Sequence, residues 1–323
     1  MKTTRLTQFA WPILFLSFAT ILAAQSQSPA PAPSETPSAL VKSWLAPAEP
    51  MHIVGPINFV GTQGLGVYLI ATPAGHILLG GGMPGSAATI EASIRKLGYK
   101  PEDIRILLSN HAHKDHVGTL ADFKKLTGAT VAVMDRDVDL LASGGKIDYL
   151  FAHNLRLHFP PVTTDRVLKN GDTVELSGVK LTARLTAGHT PGCTTFVTTV
   201  EEGGRSYNVV FPDGTSVNEG TRFVNNPSYP GILDDYRHTF TTLESLKPDI
   251  FLSYHVDAAD LLEKRARAAT EGVQAFVDPD GYKRFVAEGK AKLEQLVTEE
   301  KSSTAEKSPD TNAMKLGLAE IQL

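Results

Sequence analysis

The sequence predicts a layered α/β fold in which mixed β-sheets pack against helices. Along most of the chain, short apolar runs typical of strands alternate with longer stretches that carry apolar residues at helical spacing. Three of the predicted strands lead directly into a histidine-containing segment. Because strand ends that meet on a common rim often carry functional side chains, this observation also predicts a site at one edge of the sheets.

In the first half of the chain, glycines mark the ends of several predicted elements. Gly80 to Gly82 follow the strand at 77–79, and Gly98 ends the first helix. The predicted strands are 57–60, 67–70, 77–79, 104–108 and 130–134, and the predicted helices are 87–97, 120–126 and one that starts at 138.

The second half continues the same alternation. Residues 201–204 join two predicted strands as a hairpin, and Pro248 follows the end of a predicted helix. The predicted strands are 179–185, 194–200, 207–211 and 250–254, and the predicted helices are 232–246, 261–269 and 281–296.

The two ends of the chain differ in composition from the middle. Lys2 and Arg5 precede a short apolar run that ends in small residues, which is typical of a secretory signal peptide removed near Ala24. We therefore predict export to the periplasm or the medium, with no stable membrane insertion after cleavage. The predicted segments are a signal peptide at 1–24, a flexible Pro/Ser/Ala-rich tether at 25–45, one folded domain at 46–300 and a polar C-terminal tail at 301–323.

Composition excludes several classes of protein. The formal net charge of -4, without a dense basic stripe, argues against a nucleic-acid partner. The single cysteine, Cys193, cannot form an intramolecular disulfide, so stability must come from a hydrophobic core. We expect a monomer that acts on a small molecule.

The segment from Asn110 to His116 is the most informative part of the sequence. It places three imidazoles and one carboxylate within six residues, His111 to His116, and zinc accepts both kinds of ligand when it catalyses hydrolysis. In an extended loop alternate side chains point the same way, so His111, His113 and Asp115 are predicted to converge. His116 follows directly and can reach a second ion.

Two distant histidines complete the candidate ligand set. His189 lies in a tight Gly/Pro turn, and His255 follows a predicted strand. His189 alone is equally compatible with an ordinary turn residue, and His255 alone is more typical of an ordinary strand-end residue. Together with the segment above they give six ligands, which divide naturally into two three-ligand sites with open positions for water or substrate. The remaining histidines lack such a context and are predicted to be structural or surface residues: His52, His76, His153, His158 and His238.

These residues resemble the signature of the metallo-β-lactamase superfamily, H-x-H-x-D-H followed by two distant histidines. The segments 188–195, 226–230, 235–240 and 277–282 are also similar to subclass B3 metallo-β-lactamases, and the resemblance extends from 46 to 296. It implies an αββα sandwich of two mixed β-sheets with helices on the outer faces. It also implies metals at the rim between the sheets.

The resemblance implies two Zn²⁺ per chain and a role for each candidate residue. Asp115 would orient the nucleophile, and Ser216 would contact a substrate carboxylate. The first zinc would be held by His111, His113 and His189, and the second by Asp115, His116 and His255.

The sequence departs from the family pattern at three places. Gly80 stands where members commonly carry an aspartate that supports the ligand loop, so another group must orient the ligands. Gly214 replaces a common serine. A tyrosine expected to stabilise the oxyanion has no clear counterpart: Gly220 or Thr221 falls at its position, and Asn218 and Arg222 are alternative donors.

The expected reaction is hydrolysis of a β-lactam amide by a zinc-bound hydroxide. Zinc lowers the pKa of water from 15.7 towards about 7, so no serine nucleophile is needed. We find no Ser-x-x-Lys motif with matching partners, which gives the serine mechanism little support. Loops near 143–158 and 218–229 are predicted to set substrate selectivity.

Two rival functions depend on other features. If Asp213 bridges both metals, the protein is a lactonase, thioesterase or phosphodiesterase that can also take iron or manganese; otherwise Asp213 forms a turn before Gly214. The second rival hypothesis is a protein that binds metal but catalyses no reaction.

Overall fold

Two mixed β-sheets face each other in the computed structural model, which describes residues 39–306. The strands of each sheet lie side by side in chain order, seven in one sheet and five in the other. Helices cover both outer faces, so the predicted αββα sandwich is confirmed. The predicted signal peptide, residues 25–38 of the tether and residues 307–323 of the tail lie outside the described residues.

The first sheet begins antiparallel and becomes parallel. Its first four strands pair antiparallel, whereas the fourth to seventh strands pair parallel. Parallel neighbours require a crossover, which helices supply. The elements are β1 (Met51–Val54), β2 (Ile57–Phe59), β3 (Tyr68–Thr72), β4 (Gly75–Leu79), α2 (Ala87–Lys96), β5 (Ile104–Leu108), α3 (Lys114–Val117), α4 (Leu120–Thr127), β6 (Thr130–Met134), α5 (Val138–Ser143) and β7 (Arg166–Leu168).

The second sheet is antiparallel except at one edge, where its last two strands are parallel and the helix between them forms the crossover. Its elements, with the C-terminal helices, are β8 (Thr173–Leu176), β9 (Val179–Leu185), β10 (Thr194–Glu202), β11 (Arg205–Phe211), α6 (Ile232–Ser245), β12 (Ile250–Phe251), α7 (Leu261–Glu271) and α8 (Pro279–Glu306). None of the helices within 39–306 has both the length and the apolar character needed to cross a membrane.

Three apolar clusters hold the four layers together. Tyr68 and Phe211 pack between the sheets, Leu69 packs with Phe123 beneath the helices of the first sheet, and Phe240 packs beneath those of the second. Neighbouring residues of β3 therefore enter different clusters. Because such a strand is buried on both faces, its sequence is a continuous apolar run without polar alternation.

The helix α1 (Ala39–Leu45) corrects the predicted tether, whose last seven residues are ordered. Thr62 Oγ1 donates to the Trp44 carbonyl at 2.9 Å, and the Gly64 amide donates to the Ser43 carbonyl at 3.0 Å. A Cβ at Gly64 would lie 2.5 Å from Trp44 Cδ1, so glycine permits this close approach. At the other end, α8 extends to Glu306, beyond the predicted domain boundary at residue 300.

Candidate metal centre

The candidate ligands lie on loops at one rim of the two sheets. His111 follows β5, His189 follows β9 and His255 follows β12. The Thr194 amide at the start of β10 donates to the Asn110 carbonyl at 2.7 Å and so joins the rims of the two sheets. The Val256 amide donates to the Gly64 carbonyl at 3.1 Å, which anchors the third loop.

A helical turn, rather than an extended loop, presents Asp115 and His116. His113 is extended, with φ -107° and ψ 155°, but α3 begins at Lys114. The expectation that Asp115 shares the direction of His111 and His113 is therefore wrong. The turn directs Asp115 and His116 to a separate group, which is how two sites arise from one short segment.

The structure brings all six predicted ligands together in two groups of three. In each group the candidate ligand atoms lie within 4.8 Å of one another. The first group combines His111, His113 and His189, and the second combines Asp115, His116 and His255.

Each imidazole of the first group is oriented by an oxygen acceptor on one ring nitrogen. His111 Nδ1 donates to Asp213 Oδ2 at 2.7 Å, and His113 Nε2 donates to Asp148 Oδ2 at 3.0 Å. His189 Nδ1 donates to the Ser216 carbonyl at 3.1 Å. Since these partners accept and cannot donate, they leave the other nitrogen of each neutral ring with its lone pair.

The remaining nitrogens face one another without hydrogen-bond donors. His113 Nδ1 lies 3.0 Å from His189 Nε2, and the buried His111 Nε2 has no partner among the described residues. Burial lowers the pKa of His111 to about 4, and burial with the neighbouring imidazoles lowers the pKa of His189 well below its usual value. Lone pairs that repel each other and resist protonation fit a metal cation, and three imidazoles suit zinc.

The second group surrounds one carboxylate. Asp115 Oδ2 lies 3.3 Å from His116 Nε2 and 3.8 Å from His255 Nε2. Burial raises the pKa of Asp115, but the His116 imidazole outweighs it and holds that pKa well below its usual range. The carboxylate is therefore ionised at neutral pH. The His255 side chain is 44% exposed, so this group opens to solvent.

A cavity of about 290 Å³ opens over both groups. Trp44 forms part of its wall and its ring centroid lies 5.7 Å from that of His255. The other non-ligand residues of the lining are Lys114, Gly145, Asp148, Phe151, Leu157, Phe159, Ser216 and Asn218. Several come from the loops predicted to set selectivity, whereas Trp44 comes from the segment predicted to be a tether.

A family model described as the metallo-beta-lactamase superfamily matches residues 67–255, more than half of the chain. The protein belongs to this superfamily. The family resemblance inferred from the motifs is thereby confirmed. The prediction that the protein is a metal-dependent hydrolase is confirmed as well. A curated relative, a probable metallo-hydrolase of Burkholderia pseudomallei (strain 1710b), is 32% identical over 117 residues, which is 35% of this chain and only 37% of that relative.

Solved subclass B3 structures resemble nearly the whole described fold. The native FEZ-1 metallo-β-lactamase of Legionella gormanii is 39% identical with a TM-score of 0.78, covering 79% of this chain and 98% of that one. BJP-1 of Bradyrhizobium japonicum, a subclass B3 enzyme, is 37% identical with a TM-score of 0.77, and the match covers 82% of this chain and 99% of that one. LRA-12, a class B3 di-zinc enzyme from an Alaskan soil metagenome, is 33% identical with a TM-score of 0.75, and the match covers 78% of this chain and 96% of that one.

Gly80 stands where members of the superfamily commonly carry an aspartate, so no carboxylate at this position supports the ligand loop. Gly80 has φ +79°, and a Cβ built on it would lie 3.5 Å from the Tyr254 ring. Support comes instead from Asp213, whose Oδ2 accepts from Asn110 Nδ2 at 2.7 Å as well as from His111. Burial raises the pKa of Asp213, but the His111 imidazole outweighs it and holds that pKa far below its usual range. Asp213 thus supports His111, a candidate ligand of the first group, through its Nδ1.

Asp137 supports the candidate ligand loops, and the sequence did not reveal this role. Its buried carboxylate accepts from the Ala112 amide at 2.9 Å, from Thr190 Oγ1 at 2.7 Å and from the Gly192 amide at 2.7 Å. It therefore joins the loop of His111 and His113 to the loop of His189. In sequence it belongs to Asp135-Arg136-Asp137, which is typical of a solvated surface turn and gives no signal of this role.

Proposed function

We propose that the protein is a subclass B3-like metallo-β-lactamase that hydrolyses the β-lactam amide bond with two zinc ions. The observation that carries this proposal is the pair of three-ligand groups, with lone pairs freed by their hydrogen-bond partners, beneath a cavity large enough for a small molecule. Its support from outside the site is the 33–39% identity to B3 enzymes over almost their full lengths.

The two groups of three residues indicate which residues would hold each zinc ion. His111, His113 and His189 would hold the first zinc, and Asp115, His116 and His255 the second. When bound, zinc polarises a carbonyl oxygen and lowers the pKa of a coordinated water to about 7.

The protein's own side chains position the reactants. The ionised Asp115 carboxylate accepts a hydrogen bond from the attacking water and orients it. Ser216 Oγ, at the cavity and 3.1 Å from His189 Nδ1, donates to the substrate carboxylate. Asn218 also lines the cavity, so its amide is the group proposed to donate to the developing oxyanion. Thr221 Oγ1 is 3.5 Å from Tyr149 Oη and is not in the lining, so we assign it no such role.

The wider proposal is that this enzyme is exported and meets β-lactams in the periplasm or the medium. The proposed export depends on the N-terminal sequence pattern alone, because residues 1–38 lie outside the described part of the chain.

Hydrolysis of a chromogenic cephalosporin by the purified mature chain tests the reaction. We expect turnover with zinc that a chelator abolishes and that added zinc restores. Full zinc occupancy without cephalosporin turnover, accompanied by cleavage of a lactone, thioester or phosphodiester, would contradict the proposal. In that rival Asp213 lies near the metals or bridges them, and its hydrogen bond with His111 Nδ1 favours a supporting role over a bridging one.

Replacing His255 with alanine is expected to lower the metal content from about two zinc ions per chain to about one, because only Asp115 and His116 remain in the second group. Elemental analysis after gel filtration measures the ratio. The matched control is His238→Ala, an exposed histidine of α6, which should retain both ions. Two tightly bound ions in His255→Ala would show that His255 is not a ligand.

A further inference from the structure

We propose that Lys114 forms a cationic subsite for a carboxylate on the acyl side chain of the substrate. This inference rests on the proposed function. It names a class of β-lactam that the cavity is suited to bind, one whose side chain carries both an apolar ring and a negative charge.

Lys114 occupies the variable position of the ligand segment, between His113 and Asp115, and lines the cavity. It is the one lysine of the lining, which contains no arginine among residues 39–306. An ammonium group placed beside a substrate cavity attracts anions, and this attraction is strongest where protein walls exclude part of the solvent.

The hydrogen bonds of Lys114 leave its charge available. Its Nζ donates to the Arg156 carbonyl at 2.6 Å, which uses one of three N–H groups. No carboxylate within residues 39–306 forms an ion pair with it. A neutral carbonyl orients the ammonium without neutralising it, so an incoming carboxylate can form a charge-assisted hydrogen bond.

The contact with Arg156 also fixes where the charge lies. Arg156 belongs to the loop that contributes Phe151 and Leu157 to the cavity lining, so the ammonium is held next to an apolar wall. A substrate side chain that packs an aromatic ring on this wall would bring an attached carboxylate towards Lys114.

Ser216 belongs to a different part of the lining. It follows β11 and contacts His189, whereas Lys114 contacts the loop before β7. Because different loops hold the two residues, we assign each its own carboxylate: Ser216 the one on the bicyclic nucleus and Lys114 the one on the side chain.

Benzylpenicillin and carbenicillin form a matched pair of probes, because they differ only by a carboxylate on the side-chain carbon. In zinc-loaded Lys114→Met, we expect the ratio of the KM for carbenicillin to the KM for benzylpenicillin to rise about tenfold over wild type. Lys114→Arg should restore most of the wild-type ratio. Lys125→Met, an exposed lysine of α4, should leave the ratio unchanged.

The outcomes separate this inference from the function on which it rests. If Lys114→Met changes both KM values in parallel, or changes only kcat, Lys114 does not bind the side-chain carboxylate and the subsite is wrong. If fully zinc-loaded wild-type protein hydrolyses neither penicillin, the proposed function itself is overturned, and the subsite with it.

Discussion

Replacing Asp115 with alanine is expected to lower kcat/KM for a cephalosporin by about a thousandfold, which corresponds to about 4 kcal/mol of transition-state stabilisation. Asp115 is the one carboxylate of the two ligand groups, and its Oδ2 faces His116 Nε2 at 3.3 Å and His255 Nε2 at 3.8 Å. The substitution therefore removes a ligand, a negative charge and the proposed acceptor for the attacking water together.

Steady-state kinetics and zinc analysis of the same sample measure this effect. We expect zinc content to fall as well, because two imidazoles with no anion hold a divalent ion weakly. The matched control is Asp122→Ala, an exposed aspartate in the first turn of α4, which should behave as wild type. Near-normal kcat/KM in Asp115→Ala would remove this residue from the mechanism.

Replacing Asp213 with asparagine is expected to weaken zinc binding about ten- to one-hundredfold. The Asp213 carboxylate accepts from both His111 Nδ1 and Asn110 Nδ2 at 2.7 Å through the same oxygen. A neutral amide accepts less strongly, and its NH₂ group cannot replace that oxygen between two donors. His111 would then lose the partner that fixes its tautomer.

A chelator competition titration measures the affinity, and thermal unfolding of the zinc-free protein reports any general loss of stability. We expect Asp213→Asn still to bind two ions at saturation, since Asp213 supports a ligand. A bridging Asp213 would instead give fewer than two ions, which would revive the lactonase, thioesterase or phosphodiesterase reading. Asp234→Asn, an exposed aspartate of α6, is the matched control. Unchanged zinc affinity in Asp213→Asn would show that His111 does not need this partner.

The bounds of three strands could be predicted closely from sequence. The observed bounds of β5, β6 and β9 match the predictions. β5 and β6 are mostly apolar runs that end at turn residues, whereas β9 alternates more buried with more exposed residues after the turn at Gly178. The short strands β1, β7 and β8 were not predicted. Two of the three residues of β7 are exposed, so pairing with a neighbouring strand, which no local pattern reveals, defines it.

The ligand groups could be predicted because most of their members are local. The six residues from His111 to His116 carry four of the six candidate ligands, and only His189 and His255 come from elsewhere. Their supporting carboxylates could not be predicted in the same way. Asp148 is 35 residues from His113, and only the folded chain brings them together.

The helix α1 shows a different limit of the sequence. The Pro/Ser/Ala-rich composition before it extends the predicted tether too far, although Ala39–Leu45 contains good helix formers. Its Trp44 contacts the loop at residues 62–64 and forms part of the cavity wall, so a segment predicted to be structureless contributes to the candidate site.

Anomalous diffraction at the zinc absorption edge, from crystals of zinc-loaded protein, tests most directly whether the two groups hold metal. We expect two peaks: one about 2.0–2.1 Å from His111 Nε2, His113 Nδ1 and His189 Nε2, and one at similar distances from Asp115, His116 and His255. A cavity without zinc, or peaks bound by other residues while these imidazoles stay unligated, would contradict a dinuclear centre and the hydrolysis proposed for it.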